Sequence, residues 1–215
     1  MAIMALKFIS IPPETRKPPQ GLIVMMHGWG ANAEDLTSLA PMLRLPEYQF
    51  VFPQAPFPHP QAPVGRAWYA LETPEYEGLT ETQQQVKEWL ESLEASTGVP
   101  LSRTILGGFS QGGAMALDVG RYYPLAGLIV LSGYLHFSPE PLDQDHPLPP
   151  VLMVHGRQDP VVPVEAAQQA RDVFQHLGAD VQYQEFNMGH EIRPEVLGLI
   201  RSFVMDTIPK LTECP

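Results

Sequence analysis

Cysteine is almost missing from this 215-residue chain, with Cys214 the only one. No intrachain disulfide and no cysteine metal cluster can form, which fits a reducing compartment such as the cytoplasm. Positive charge is also scarce, with 13 Lys and Arg against 24 Asp and Glu for a net −11. Such a chain lacks the basic patch that a phosphate backbone demands, so nucleic acid is excluded as a partner. An anionic membrane surface is disfavoured on the same ground. No apolar run approaches the roughly 20 residues needed to span a bilayer, so no stable membrane insertion is expected. The N-terminal stretch has Lys7 inside its apolar residues and no basic region before them. It therefore does not read as a signal peptide, and a cytoplasmic protein is expected.

What is present describes a globular protein. Hydrophobic residues make up 44% and charged residues 17%, a balance far from that of disordered chains. At roughly 100 to 200 residues per domain, residues 1–215 read as a single domain. A chain of this size buries on the order of 70% of its unfolded surface and needs no covalent staple. Proline is the one abundant oddity, at 24 residues.

Short apolar runs recur, each followed by a turn signal. They are Leu22 to Met26, Phe50 to Phe52, Thr104 to Leu106, Leu128 to Leu131, Val151 to Val154 and Val181 to Phe186. Uninterrupted apolar strands belong to a sheet covered on both faces. Helical patterns lie between them. One opens at Thr80-x-x-Gln83, which reads as a capping box, and closes at Gly98. Others span Gln111 to Tyr122, Val164 to Leu177 and the segment from Pro194, with Leu197, Ile200, Phe203 and Val204 as a core-facing stripe. The alternation predicts an α/β fold with a mostly parallel central sheet and helices on both faces. Two proline-rich stretches, Pro53 to Trp68 and Ser138 to Pro150, read as loops that could wall a site.

The chemistry concentrates in Gly107-Gly108-Phe109-Ser110-Gln111-Gly112-Gly113, which contains G-x-S-x-G. The pattern alone would arise by chance with probability of roughly 0.07 in a chain this long. Its place between an apolar strand and a helix is what a nucleophile elbow requires. A serine hydroxyl needs a base to take its proton, and the order on such a scaffold is Ser, then Asp or Glu, then His. Of seven histidines, His190 follows the last predicted strand and precedes the final helix. Asp159 lies between Ser110 and His190 on the loop after Val151 to Val154, where α/β sites are built. Asp143 and Asp145 share that order but sit in a proline-rich loop with no strand beside them. The backbone N–H groups of Gln111 and Trp29 are candidate oxyanion donors, Trp29 lying in the loop His27-Gly28-Trp29-Gly30. Phe57, Trp68 and Leu71, with Trp29, are candidates for an apolar pocket.

These residues resemble the phospholipase/carboxylesterase family of α/β-hydrolases. The resemblance runs through His27-Gly28-x-Gly30, Phe52-Pro53-x-Ala55-Pro56, Trp68-Tyr69, Gly108-Phe109-Ser110-Gln111-Gly112-Gly113, His155-Gly156-x-x-Asp159-x-x-Val162-Pro163 and Gly189-His190. It implies an α/β-hydrolase fold with a minimal lid, Ser110 as nucleophile, His190 as base and Asp159 as its partner, with oxyanion donors at Trp29 and Gln111. The segment Ala31 to Leu36 after the first motif is more similar to the small bacterial carboxylesterases of the family than to acyl-protein thioesterases. The expected activity is hydrolysis of small-molecule carboxylic esters of small to medium acyl length, with no metal or organic cofactor. Thioesterase or lysophospholipase activity is the alternative within the fold. A catalytically silent binding protein is the alternative outside enzymes. Exposed aromatic loop residues could support a homodimer.

Overall fold

A computed structural model describes residues 6–136 and 146–208. Most of the second proline-rich stretch, Asp143, Asp145 and Cys214 lie outside the described residues.

Seven strands form the main sheet. In chain order they are β1 (Phe8–Ile11), β2 (Leu22–Met26), β3 (Gln49–Pro53), β6 (Thr104–Phe109), β7 (Gly127–Leu131), β8 (Val151–Gly156) and β9 (Val181–Phe186). Between β3 and β6 come two-residue strands, β4 (Phe57–Pro58) and β5 (Arg66–Ala67), which pair only with each other. The main sheet runs β1-β3-β2-β6-β7-β8-β9, with β1 antiparallel to β3 and every other pair parallel.

Among the described residues five α-helices cover the faces: α1 (Leu39–Leu43), α2 (Leu79–Thr97), α3 (Gln111–Gly120), α4 (Val164–His176) and α5 (Pro194–Thr207). Side chains alternate across a strand, so each apolar run feeds two cores. Leu22, Val24 and Met26 join Val86, Leu90, Leu117 and Phe174 on one side. Ile23 and Met25 join Leu39, Leu43, Ile200 and Phe203 on the other. This division explains why β2, β7 and β8 read as unbroken apolar runs, whereas β9, expected to be one of them, alternates as Val-Gln-Tyr-Gln-Glu-Phe and is only partly buried. Among the described residues no helix is long and apolar enough to cross a membrane.

Three local expectations are corrected. Thr80 and Gln83 make no capping box: α2 begins at Leu79 on Gly78, which has φ 86° and no side-chain cap. Thr80 is therefore already inside the first turn. The strand beginning at Thr104 continues through both glycines to Phe109, because its neighbours extend with it. The Pro53 to Trp68 stretch is not wholly irregular, since it contains the β4–β5 ribbon.

The packing of α3 is set by glycine. A Cβ on Gly112 would sit 2.2 Å from Met26 O and 2.6 Å from His27 O, and one on Gly108 would sit 2.3 Å from Gly112 C. Backbone atoms cannot swing aside as a side chain can. The Gly112→Ala substitution is therefore expected to cost about 3 kcal/mol or more, measured by urea unfolding. Gly198 in α5 has nothing within 4 Å of its added Cβ. At that position Ala should be neutral or stabilise by up to about 1 kcal/mol through helix propensity. Equal unfolding midpoints for the two variants would contradict the account.

Candidate active site

Ser110 stands between β6 and α3 with φ 54° and ψ −118°. A positive φ is costly for a residue with a Cβ and persists only where the surroundings impose it. Here Ser110 N–H donates to Leu131 O at 2.8 Å and Ser110 O accepts from Ala114 N–H at 3.0 Å. The turn is thus fastened to β7 on one side and to the helix on the other.

His190 and Asp159 come from neighbouring strand ends. His190 Nδ1–H donates to Asp159 Oδ2 at 2.7 Å, and the carboxylate has no exposed surface. The other oxygen, Oδ1, accepts from the N–H groups of Val161 at 2.8 Å and Val162 at 2.9 Å. Burial pushes the Asp159 pKa up, but the hydrogen bonds from His190, Val162 and Val161 outweigh it and hold the carboxyl below its ordinary value. The imidazole packs on Phe109, the residue before Ser110, with ring centroids 4.6 Å apart.

The two loops that carry this pair are joined along their backbones. Arg157 N–H donates to Phe186 O at 2.8 Å and Gln158 N–H to Met188 O at 3.1 Å. Gly156 lies so close that an added Cβ would meet Met188 O at 2.3 Å and Gly189 O at 2.4 Å. His155, one residue earlier, is fully buried and donates from Nε2 to Val162 O at 2.8 Å, bracing the turn that presents Asp159.

The loop after β2 approaches the elbow from the opposite side. A Cβ on Gly28 would lie 3.4 Å from Ser110 Cβ, so Gly28 and Ser110 are near contact. Trp29 N–H has no hydrogen bond among the described residues, whereas Gly30 N–H is taken by Arg66 O at 2.9 Å. Gln111 is the first residue of α3, and N–H groups of a first turn have no intrahelical acceptor. Among the described residues neither of these N–H groups has an acceptor, and Gln111 directly follows Ser110 at a helix N-terminus, which favours negative charge.

The Gln111 side chain is a feature that sequence reading missed. It is fully buried, accepts from Trp68 N–H at Oε1 (2.9 Å) and donates from Nε2 to Tyr69 O (2.9 Å). Trp68 in turn donates from Nε1 to His27 O at 2.8 Å. Gln111 and Trp68 therefore tie the elbow, the proline-rich stretch and the loop after β2 into one unit. These partners lie more than forty residues apart in the chain, so no local signal announces them.

The pocket candidates separate. Trp29 and Phe57 line a cavity of 370 Å³ together with Pro58, Pro60 and Tyr69. Trp68 has no exposed surface and belongs to the bracing just described. Leu71 is 37% exposed and is not part of that lining. Among the described residues no three His, Cys, Asp or Glu side chains gather closely enough to hold a metal ion.

A sequence profile of the family described as Phospholipase/Carboxylesterase matches residues 11–208. An acyl-protein thioesterase 1 of Neurospora crassa is 33% identical over 208 residues, covering 87% of this chain and 84% of the relative. A probable carboxylesterase of Oryza sativa subsp. japonica is 30% identical, covering 91% of this chain and 92% of the relative. The crystal structure of esterase PE8 superposes with a TM-score of 0.84 at 29% identity, covering 95% of this chain and all of that one.

His27 supplies a pH test of the loop after β2. Its Nδ1–H donates to Gly28 O at 2.8 Å and its Nε2 accepts from Ala55 N–H at 3.2 Å, a pattern only the neutral ring can satisfy. Burial lowers its pKa from 6.5 to about 4. The native value lies below the unfolded one, so the unfolded chain takes up the proton first. Stability due to the neutral ring is complete above pH 6.5 and declines as pH falls toward 4, by about 3 kcal/mol. Urea midpoints measured across that window should show the decline, and His27→Gln should flatten it. A His27 imidazole resonance that titrates near pH 6.5 in the folded protein would contradict this.

Proposed function

Because this chain belongs to the phospholipase/carboxylesterase family of hydrolases, we propose that it hydrolyses carboxylic esters of small to medium acyl length through Ser110, His190 and Asp159. The observation that carries this reading is the 2.7 Å bond from His190 Nδ1–H to a carboxylate with no exposed surface. That bond fixes the tautomer, leaving Nε2 as the basic nitrogen, and stabilises the imidazolium once it forms. Phe109 against the ring supports His190 as the partner of its neighbour Ser110.

The chemistry follows in two balanced halves. Ser110 Oγ attacks the ester carbonyl carbon while His190 Nε2 takes the hydroxyl proton. The resulting oxyanion accepts hydrogen bonds from the Trp29 and Gln111 N–H groups, which need no reorganisation at that moment. The carbon–oxygen bond to the alcohol then breaks, and His190 returns the proton to the departing oxygen. Water attacks the acyl-serine by the same route, releasing the acid and restoring Ser110.

A thioester reading is supported by the Neurospora crassa relative, whose name is acyl-protein thioesterase 1. The same residues serve either leaving group, so the two readings differ only in rate. Phenyl butyrate against S-phenyl thiobutyrate, compared as kcat/KM, decides between them.

An active-site-directed fluorophosphonate should label the native protein and fail to label Ser110→Ala. Hydrolysis of p-nitrophenyl butyrate should fall at least about a thousandfold in that variant. In Asp159→Asn, kcat should fall by about three to four orders of magnitude, because the ring loses its orienting acceptor. Undiminished turnover by Ser110→Ala would overturn the nucleophile assignment.

A further inference from the structure

The Asp159 carboxylate has a second histidine beside it. His155 Nε2 lies 3.6 Å from Asp159 Oδ2, the oxygen that accepts from His190, and neither of the two side chains is more than 1% exposed. That distance is too long for a hydrogen bond. The Nε2 proton goes to Val162 O instead, at 2.8 Å. Val162 N–H in turn donates to Asp159 Oδ1 at 2.9 Å. Val162 is thus held at its carbonyl by His155 and at its amide by Asp159, and the turn closes on itself between them.

Packing alone does not account for a histidine at this place. A carbonyl can only accept, so Nε2 carries the proton and Nδ1 of the neutral ring is left as an acceptor. Nδ1 is buried and has no hydrogen-bond partner among the described residues. An unmet polar atom in the interior is unfavourable, and a leucine would fill the space without one. A leucine could not hold Val162 O.

We propose that His155 is a positioning residue: through Val162 it keeps the 159–162 turn in the orientation that leaves Asp159 Oδ2 on His190. With Val162 O released, the turn that delivers the Val161 and Val162 N–H groups to Oδ1 can rotate, and the carboxylate rotates with it. His190 then loses the acceptor that keeps its proton on Nδ1. The effect on rate rests on the esterase reading above, whereas the effect on the His190 ring does not.

Two amide side chains test this. Gln can put its amide nitrogen where His155 Nε2 lies, while Asn reaches only as far as Nδ1. The His155→Gln variant should keep kcat for p-nitrophenyl butyrate within about threefold of the unsubstituted protein. In His155→Asn and His155→Leu it should fall about 10- to 100-fold with KM little changed. In an Asp159→Asn background the same two substitutions should alter kcat by less than about twofold, because the residue through which His155 acts is gone. Equal kcat in the Gln and Asn variants, or an undiminished loss in the Asp159→Asn background, overturns the inference.

Ring nitrogen NMR of the Ser110→Ala protein at alkaline pH supplies a readout independent of turnover. His190 should show the Nδ1–H tautomer in Ser110→Ala and in Ser110→Ala/His155→Gln. In Ser110→Ala/His155→Asn it should show a mixture with Nε2–H, since an imidazole released from its acceptor samples both. That pattern without turnover of any ester would keep His155 as the support of the Asp159–His190 pair and overturn the esterase reading. Ester turnover with the same His190 tautomer in all three proteins would do the reverse.

Discussion

A helix end meets two strand ends so closely that no side-chain carbon fits between them, and the candidate site is organised around that approach. Gly112 lies against the carbonyls of Met26 and His27, and Gly108 lies against Gly112. The contact brings the N-terminus of α3 over the ends of β2 and β6. It also forces the chain to reverse within one residue, which puts Ser110 at φ 54°. With the helix drawn in this far, Gly28 of the loop after β2 comes to near contact with Ser110. A larger residue at Gly112 would move all of these together, since nothing in the contact is flexible.

Polar groups around that approach are used economically. His27, Trp68 and Gln111 are all fully buried, and each satisfies its side-chain polar atoms on backbone groups. Asp159 is treated likewise, with one oxygen on His190 and the other on two backbone amides. A buried network of this sort is rigid when complete and costly when broken. Among the described residues it leaves the N–H groups of Trp29 and Gln111 without an acceptor.

Much of this was legible in the sequence, for identifiable reasons. β2 and β9 have the bounds of their apolar or alternating runs because turn residues close them at both ends. The pairing of Asp159 with His190, a 2.7 Å hydrogen bond, could be anticipated because the order of elements in an α/β chain restricts which acidic residue and which histidine meet at the strand ends. β1 escaped notice because it is an edge strand of four residues whose Phe8 is 48% exposed, so it lacks a strong apolar signature. α1 escaped because it is five residues long and contains Pro41. Nothing local distinguishes Trp29 from Trp68, both aromatic residues on loops. Only the long-range bond from Trp68 to His27 O makes one a brace and leaves the other at the cavity.

The proline stretch that walls the cavity has a thermodynamic corollary. Pro58 and Pro60 line the space, and their ring closure fixes one backbone angle in the free protein as in any complex. Little conformational entropy remains there for a ligand to remove on entry. Ligands that fit should then be ranked by the contacts they make and the water they displace, with scant contribution from ordering the wall around them.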